Sequence, residues 1–361
     1  MGKSVLFSIQ DLEGGGAERV VVNLSNYFVE NGYKVTILLA RRQGVYFHLL
    51  HPEIQIDELK ANRFLGYLLK GFFYFKNKKF DYVFTSNHLD TSSMILLKHF
   101  VMKNAKIIAT LHCDLPKYFE SLPKKSRLWL GFLYKKIIIH ADKMISVSQG
   151  VKDGFCALTK YTTNNHVVIY NPTVTDKNII DAKSPLNFDF RDKKVLITVG
   201  RLHAQKNHQL LIEAINILND KNIHLLILGE GPLKNELRKM VQKYGLTENV
   251  HLLGFSNNPF PYYSKADLFV LSSVYEGFGN VLVEAMSCGC NVVSTDCPNG
   301  PREILQNNTY GWLCQVNNAN DMALKITLAL NNPMEKEHLK RRSMDFHVKQ
   351  IGAQYLEFLG Q

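Results

Sequence analysis

Two glutamates, Glu276 and Glu284, stand on either side of a glycine-containing segment in the C-terminal half of the chain. This segment leads into an apolar run typical of a helix, so free N–H groups of residues 277–281 would lie between two carboxylates. Carboxylates accept hydrogen bonds from sugar hydroxyls, and N–H groups at a helix N-terminus bind phosphate. The spacing therefore indicates a site for a sugar joined to phosphate. The alternative is an exposed glutamate pair on an ordinary helix.

Two cations, Arg201 and Lys206, follow the buried run KVLITVG. Ligands of open α/β sheets bind at the carboxyl ends of strands, so these cations are candidates to neutralise a diphosphate. Two solvated surface cations are the alternative. The turn Gly229-Glu230-Gly231-Pro232 ends the next predicted strand, and it suits a plain turn as well as a ligand contact.

A glycine turn, residues 14–16, joins the first predicted strand to the first predicted helix. The N–H groups of Gly15 and Gly16 can face an anion there. The pattern lacks the last glycine of the dinucleotide-binding fingerprint, so a tight turn without a ligand is the alternative.

Apolar runs alternate with helical patterns in two successive series, which predicts an α/β protein with two Rossmann-like parallel-sheet domains. We expect an N-terminal domain over residues 1–175, a polar linker over 176–194 and a C-terminal domain over 195–345. A final helix over 346–361 would pack on the outside or cross back to the first domain. The predicted strands cover residues 5–9, 35–40, 81–86, 105–112 and 143–148, then 194–200, 224–229, 250–254, 267–272 and 291–295.

The composition is that of a globular protein, with 46% hydrophobic and 21% charged residues in a chain of 361. No apolar run reaches the roughly 18 to 20 residues that span a bilayer, and the N-terminus lacks the features of a signal peptide. We therefore expect a cytoplasmic protein. Six cysteines without a C-x-x-C pair predict reduced, mostly buried thiols rather than a metal site.

The formal charge of +11 is concentrated in residues 60–143, which hold 16 basic and 5 acidic side chains. Aromatic residues alternate with these cations, a composition typical of a surface that lies on an anionic membrane. We expect the N-terminal domain to bind the inner face of the cytoplasmic membrane, with contributions from Lys76, Lys78, Lys79, Lys124 and Lys125. Core aromatics beside a solvated basic face are the alternative. Nucleic acid is not an expected partner, because no recognition motif accompanies the charge.

At the glycine turn, the two cations and the glutamate pair described above, the chain resembles the retaining glycosyltransferases of family 4, also called glycosyltransferase group 1. The segments that carry the resemblance, in the order typical of the family, are GGGAER, GRLHAQKN, ILGEGP, VHLLGF, YEGFGNVLVEAMSCG and DCPNGPREIL. The resemblance implies the GT-B fold, in which two Rossmann-like domains face each other across a cleft. The last segment is similar to that of members that build bacterial surface polysaccharides and lipid-linked oligosaccharides.

The resemblance also implies roles for individual residues. Glu276 would bind the donor-sugar hydroxyls and Glu284 the ribose hydroxyls. His112 matches a histidine that orients donor and acceptor, although a core histidine is the alternative. The diphosphate would be held by Arg201, Lys206 and the N–H groups of Gly15, Gly16, Gly277, Phe278, Gly279 and Asn280. The base would lie against residues 252–255, including Leu253.

The function implied is transfer of a hexose or N-acetylhexosamine from a nucleotide-diphosphate sugar, with a UDP-sugar favoured, to a lipid-linked or polysaccharide acceptor. Glu276, His112, Arg201 and Lys206 would act in catalysis. The chain has no D-x-D sequence, so we expect no essential metal and no cofactor beyond the sugar nucleotide. A GT-B epimerase or phosphorylase and a non-catalytic basic adaptor are the alternative functions.

Overall fold

A computed structural model describes residues 2–61, 63–186 and 193–360. The chain divides into two compact units. The first comprises residues 1–172 and 348–361, and the second comprises residues 173–347. The expected linker over 176–194 includes residues 187–192, which lie outside the described residues.

In the described part of the first unit, seven parallel strands form one sheet in the order β3-β2-β1-β4-β5-β6-β7. Its central strands are nearly continuous apolar runs because helices cover both faces of the sheet. The strands are β1 Ser4–Ile9, β2 Lys34–Leu39, β3 Gln55–Glu58, β4 Tyr82–Thr85, β5 Lys106–Leu111, β6 Lys143–Ser146 and β7 His166–Val168. The helices are α1 Gly16–Glu30, α2 Phe64–Asn77, α3 His88–Val101, α4 Leu115–Glu120, α5 Lys124–Lys136 and α6 Gln149–Thr159, with short 3-10 turns at Phe47–Leu49 and Ile138–His140.

In the described part of the second unit, six parallel strands form a sheet in the order β10-β9-β8-β11-β12-β13. The strands are β8 Lys194–Val199, β9 Ile223–Leu228, β10 Val250–Gly254, β11 Leu268–Leu271, β12 Asn291–Thr295 and β13 Trp312–Cys314. The helices are α7 Asp176–Asp181, α8 His208–Leu218, α9 Lys234–Lys243, α10 Phe260–Lys265, α11 Asn280–Ser287, α12 Pro301–Leu305, α13 Ala319–Asn331 and α14 Lys336–Met344, with a 3-10 turn at Ala204–Lys206. The prediction of two Rossmann-like parallel-sheet domains is confirmed.

The start of the expected linker differs from the sequence interpretation. Residues 176–181 form α7, and the hydroxyl of Thr175 accepts a hydrogen bond of 3.2 Å from the N–H of Asn178 at the start of this helix. A polar segment with a good N-cap thus forms a short helix of the second unit despite its weak periodicity.

The last helix, α15, spans Val348–Gly360 and belongs to the first unit. Its residues Ile351, Tyr355, Phe358 and Leu359 lie in the same buried cluster as the apolar faces of α1 and β1. Lys143 donates a hydrogen bond to the carbonyl of Phe358, and the hydroxyl of Tyr82 donates one of 3.2 Å to that of Leu359. These donors satisfy carbonyls that the end of a helix leaves unpaired.

Across the described ranges, no helix is both long and apolar enough to cross a membrane. All six cysteines are unpaired thiols.

Candidate active site

Glu276 lies in the loop that follows β11, at the carboxyl edge of the second unit's sheet. Its side chain is 8% exposed, and its Oε1 atom lies 2.6 Å from the Nζ atom of Lys206. The hydroxyl of Ser273 donates a second hydrogen bond of 2.6 Å to the same oxygen. The carboxylate is therefore held by one cation and one hydroxyl, both on Oε1.

The two loops that carry this ion pair are joined by hydrogen bonds to their backbone carbonyls. The hydroxyl of Ser272 donates to the carbonyl of Lys206 at 2.8 Å, and the side-chain amide of Gln205 donates to the carbonyl of Tyr275 at 2.9 Å. The N–H of Val274 also donates to the carbonyl of Gln205 at 2.8 Å. These bonds fix Lys206 beside Glu276 although the two residues are 70 positions apart.

A third loop, which follows β12, packs against the segment after Glu276. The N–H of Glu276 donates to the carbonyl of Pro298 at 3.3 Å. Gly300 has φ +69°, and a β-carbon there would collide with the carbonyl of Phe278, so only glycine permits this approach. Gly279, with φ +100°, then opens α11, whose first residue is Asn280. The segment Gly277–Asn280 thus lies at the N-terminus of a helix, where N–H groups bind anions.

Glu284 lies about one turn into the same helix, and it is buried. Its Oε2 atom accepts a hydrogen bond of 3.1 Å from the hydroxyl of Tyr263. Burial, followed by the nearby charge of Glu284, raises the pKa of Tyr263 well above its usual value, so the phenol remains a donor at neutral pH. This carboxylate has a separate partner from the one that holds Glu276.

Arg201 is exposed at the carboxyl end of β8, and its guanidinium makes no hydrogen bond within the described residues. The neighbouring turn requires a glycine at position 229. Gly229 has φ +154°, and a β-carbon there would collide with the carbonyl of Gly200. The glycine therefore serves close packing of two loops, and Arg201 remains available to a ligand.

The segment predicted to meet the base, residues 252–255, comprises the end of β10 and the residue after it. The side chains of Leu253 and Phe255 are 39% and 46% exposed. They offer an apolar surface at the same carboxyl edge of the sheet.

In the first unit, Gly15 is the N-cap residue of α1 and Gly16 its first residue. A β-carbon at Gly15 would collide with the carboxylate of Glu18, which shows that this carboxylate folds back over the glycine turn. A phosphate bound at the N–H groups of Gly15 and Gly16 would meet this like charge. Phosphate binding there requires another rotamer of Glu18.

His112 directly follows β5 and lines a cavity of ≈ 230 Å³. Burial lowers the pKa of His112 to about 4, so its imidazole is neutral at physiological pH. His88 lines the same cavity, and burial lowers its pKa to about 4 as well. The other walls include Asn87, Tyr118 and Tyr134. Two neutral imidazoles, an amide and two phenols can exchange hydrogen bonds with an uncharged polyol.

The sequence analysis did not identify His88, Ser273 or Tyr263. His88 and Ser273 both lie just past the carboxyl end of a strand, which is the signal that could have identified them. Tyr263 lies on the short helix α10 and carries no such signal. Among the described residues, no group of three His, Cys, Asp or Glu side chains lies close enough to hold a metal ion. Independence from metal stays a prediction.

The second unit combines a buried carboxylate–lysine pair with a helix N-terminus at one edge of its parallel sheet, an arrangement suited to an anionic ligand. Two family models show the class of enzyme to which the chain belongs. The glycosyl transferases group 1 model matches residues 181–345, and the glycosyltransferase family 4 model matches residues 14–177. The chain belongs to these glycosyltransferases, and it is a hexosyltransferase with the GT-B fold.

A relative from Campylobacter jejuni is N-acetylgalactosamine-N,N'-diacetylbacillosaminyl-diphospho-undecaprenol 4-alpha-N-acetylgalactosaminyltransferase. It is 31% identical over 368 residues, which cover 97% of this chain and 98% of the relative. A second C. jejuni protein, an alpha-1,4-N-acetyl-D-galactosaminyltransferase acting on a GalNAc-containing diNAcBac-PP-undecaprenol, is 26% identical over 99% of this chain and 98% of its own. The crystal structure of Anabaena HepE in complex with UDP and glucose has a TM-score of 0.81 at 20% identity and covers 99% of both chains.

Proposed function

We propose that this hexosyltransferase moves a hexose or N-acetylhexosamine from a UDP-sugar to a lipid-linked acceptor, with retention of configuration at the anomeric carbon. The observation that carries the proposal is the Lys206–Glu276 pair beside the N-terminus of α11. In this proposal the cation would bind the diphosphate and the neighbouring carboxylate would bind the sugar. The UDP named with HepE, and the diphospho-undecaprenol named with the C. jejuni relative, support the donor and acceptor classes.

The residues of this site would act mainly by stabilising charge. The bond between the sugar C1 and the diphosphate oxygen breaks, and the acceptor hydroxyl oxygen bonds to C1 while its proton passes to the leaving diphosphate. Lys206, Arg201 and the N–H groups of Gly277–Asn280 would bind the charge that develops on the diphosphate. Oε1 of Glu276 already accepts hydrogen bonds from Lys206 and Ser273, so Oε2 would accept a hydrogen bond from a sugar hydroxyl. Glu284 would accept from the ribose.

The acceptor sugar is assigned to the first unit. The cavity lined by His112 and His88 presents neutral donors and acceptors beside the aromatic rings of Tyr118 and Tyr134. Neutral imidazoles suit sugar hydroxyls, because no ionic group has to be desolvated when the sugar enters. His112 would orient the reacting hydroxyl.

A matched pair of variants tests the donor site. Glu276→Ala should abolish transfer and leave UDP affinity largely intact, because Glu276 is assigned to the sugar. The control, Glu230→Ala, removes a half-exposed glutamate that pairs with Lys234 at the same edge. This control should leave both transfer and UDP affinity unchanged. We would first identify the donor by thermal shift with a panel of sugar nucleotides. Equal loss of UDP binding and transfer in Glu276→Ala would contradict the assignment.

We also propose that the protein works at the inner face of the cytoplasmic membrane, to which α2 and α5 of the first unit would bind. The exposed apolar side chains of these helices, here called the aromatic face, are Leu65, Leu69, Phe72, Phe73, Leu128, Trp129 and Phe132. The ring of Phe64 meets that of Trp129 at 5.8 Å, which joins the two helices. Contiguous exposed apolar surface of this kind marks an interaction site.

Some aromatic residues of this region are buried and others are exposed. Tyr67, Phe75, Phe119 and Tyr134 are buried core residues, as the alternative interpretation expected. Phe72, Phe73, Trp129 and Phe132 of the aromatic face are exposed. The cations exposed on the same two helices are Lys70, Lys76, Lys124, Lys125 and Arg127. Lys78 differs from the other expected contributors because it forms an ion pair of 2.5 Å with Asp57.

Sedimentation with vesicles tests the membrane proposal. Wild-type protein should bind vesicles that contain anionic lipid, and high salt should release part of it, since each cation near the surface contributes about 1 kcal/mol. Lys76→Gln/Lys124→Gln/Lys125→Gln should weaken binding, and Trp129→Ser/Phe132→Ser should remove the salt-resistant share. Vesicle binding that does not depend on lipid charge or on salt, and that all five substitutions leave unchanged, would contradict the proposal.

A further inference from the structure

A second cavity of ≈ 230 Å³ lies at the opposite edge of the first unit's sheet from His112. It is bordered by the segments that join α2 to β4 and α3 to β5, so it lies at the amino ends of these strands. The carboxyl ends carry the candidate acceptor cavity. No role in glycosyl transfer accounts for a cavity here.

The cavity combines apolar walls with a cationic rim. Phe75 and Met102 are buried in its wall, and Phe100 stands at its mouth with 71% of its surface exposed. Lys79 and Lys103 on the rim are exposed, and neither forms an ion pair within the described residues. A third lysine, Lys78, is already paired with Asp57. The cavity is far larger than the roughly 10 to 15 Å³ that one water needs, so it has room for part of an organic ligand.

We propose that this cavity is a binding site for one anionic phospholipid. Lys79 and Lys103 bind the phosphate, and the first part of an acyl chain lies against Phe75, Phe100 and Met102. A free phosphate would use the lysines and leave the apolar walls empty, whereas a neutral lipid would leave the lysines unused. An anionic amphiphile uses both.

The position of the cavity supports the same occupant. Phe72, Phe73 and Lys76 are exposed on the last turns of α2, directly before the residues that border the cavity. The cavity thus lies at the C-terminal end of a helix that carries part of the aromatic face, and the inference rests on the proposed membrane function. It adds a specific lipid site to a surface that would otherwise bind through general charge and apolar contact.

The test is titration of the full-length protein, by isothermal calorimetry, with dihexanoyl phosphatidylglycerol below its micelle concentration. We expect saturable binding of one lipid per chain, and much weaker binding of dihexanoyl phosphatidylcholine and of inorganic phosphate. Lys79→Gln/Lys103→Gln should weaken binding about tenfold or more. Phe100→Ser should weaken it as well without a change of charge, and the exposure of Phe100 makes this variant safe for folding. The control, Lys221→Gln/Lys239→Gln, neutralises two exposed lysines of the second unit and should have no effect.

Several results would overturn the lipid site: no binding of the monomeric lipid, phosphate binding of equal strength, or full affinity in either cavity variant. Failure of the membrane proposal is separable from these results. Trp129→Ser/Phe132→Ser should reduce vesicle binding and leave the titration with monomeric lipid unchanged. A wild-type protein that binds the monomeric lipid but no vesicle would contradict the membrane function alone.

Discussion

Replacement of Lys206 by methionine should destabilise the second unit by removing the cation from a nearly buried carboxylate. Loss of one partner of a buried ion pair costs about 3 to 5 kcal/mol. Here the Lys206 side chain is 18% exposed, and Ser273 still donates to Glu276, so we expect about 1 to 3 kcal/mol. Glu276→Gln in the same chain removes the stranded charge. The double variant should therefore recover most of the lost stability.

The assay is urea unfolding followed by tryptophan fluorescence. The chain has two tryptophans, and Trp312 lies on β13 in the second unit. In a Trp129→Phe background its fluorescence reports that unit alone. Lys221→Met, at an exposed site, is the matched control and should show no coupling to Glu276→Gln. If the effects of Lys206→Met and Glu276→Gln add within about 0.5 kcal/mol, the ion pair contributes no coupling and the reasoning is refuted.

Three further outcomes are expected. Arg201→Ala should weaken UDP binding by about 1.5 to 3 kcal/mol, because a charge-assisted contact is lost, and calorimetry showing unchanged affinity would remove Arg201 from the site. Transfer should survive EDTA, so a reproducible requirement for added divalent metal would disprove metal independence. Burial, and then the charge of Lys206, lower the pKa of His208 to about 4, so its contribution to stability is complete above pH 6.5 and is lost as the pH falls towards 4. Between pH 7 and pH 5, the free energy of unfolding of His208→Asn should therefore fall by about 2 kcal/mol less than that of wild type. Urea unfolding that shows the same fall in both proteins would contradict this.

The central strands could be predicted from the sequence because their burial on both faces demands continuous apolar runs, as in β1 and β8. The unpredicted strands β3, β7 and β13 are three or four residues long, and each lies at the edge of its sheet. An edge strand is paired on one side only, so its sequence carries a weaker signal. β3, with the sequence QIDE, shows no apolar run at all.

The sequence indicates candidate site residues one at a time, and their roles stay predictions, but it does not indicate the contacts among them. Glu276 and Glu284 attract attention as a pair, yet each has its own partner: Lys206 for the first and Tyr263 for the second. These partners come from other loops and helices, and nothing local in the sequence specifies them. The basic and aromatic region shows the same limit, because alternation along the chain does not distinguish buried Phe75 from exposed Phe73.

The most direct test of the central claim is the stereochemistry of transfer. The full-length protein would be given the UDP-α-sugar selected by thermal shift and a diphospho-undecaprenol-linked acceptor, and the anomeric proton of the product would be examined by NMR. We predict an α-linkage to the acceptor sugar, formed at a rate that Glu276→Ala reduces to background. A β-linked product, or consumption of the UDP-sugar without a glycosylated acceptor, would contradict the account.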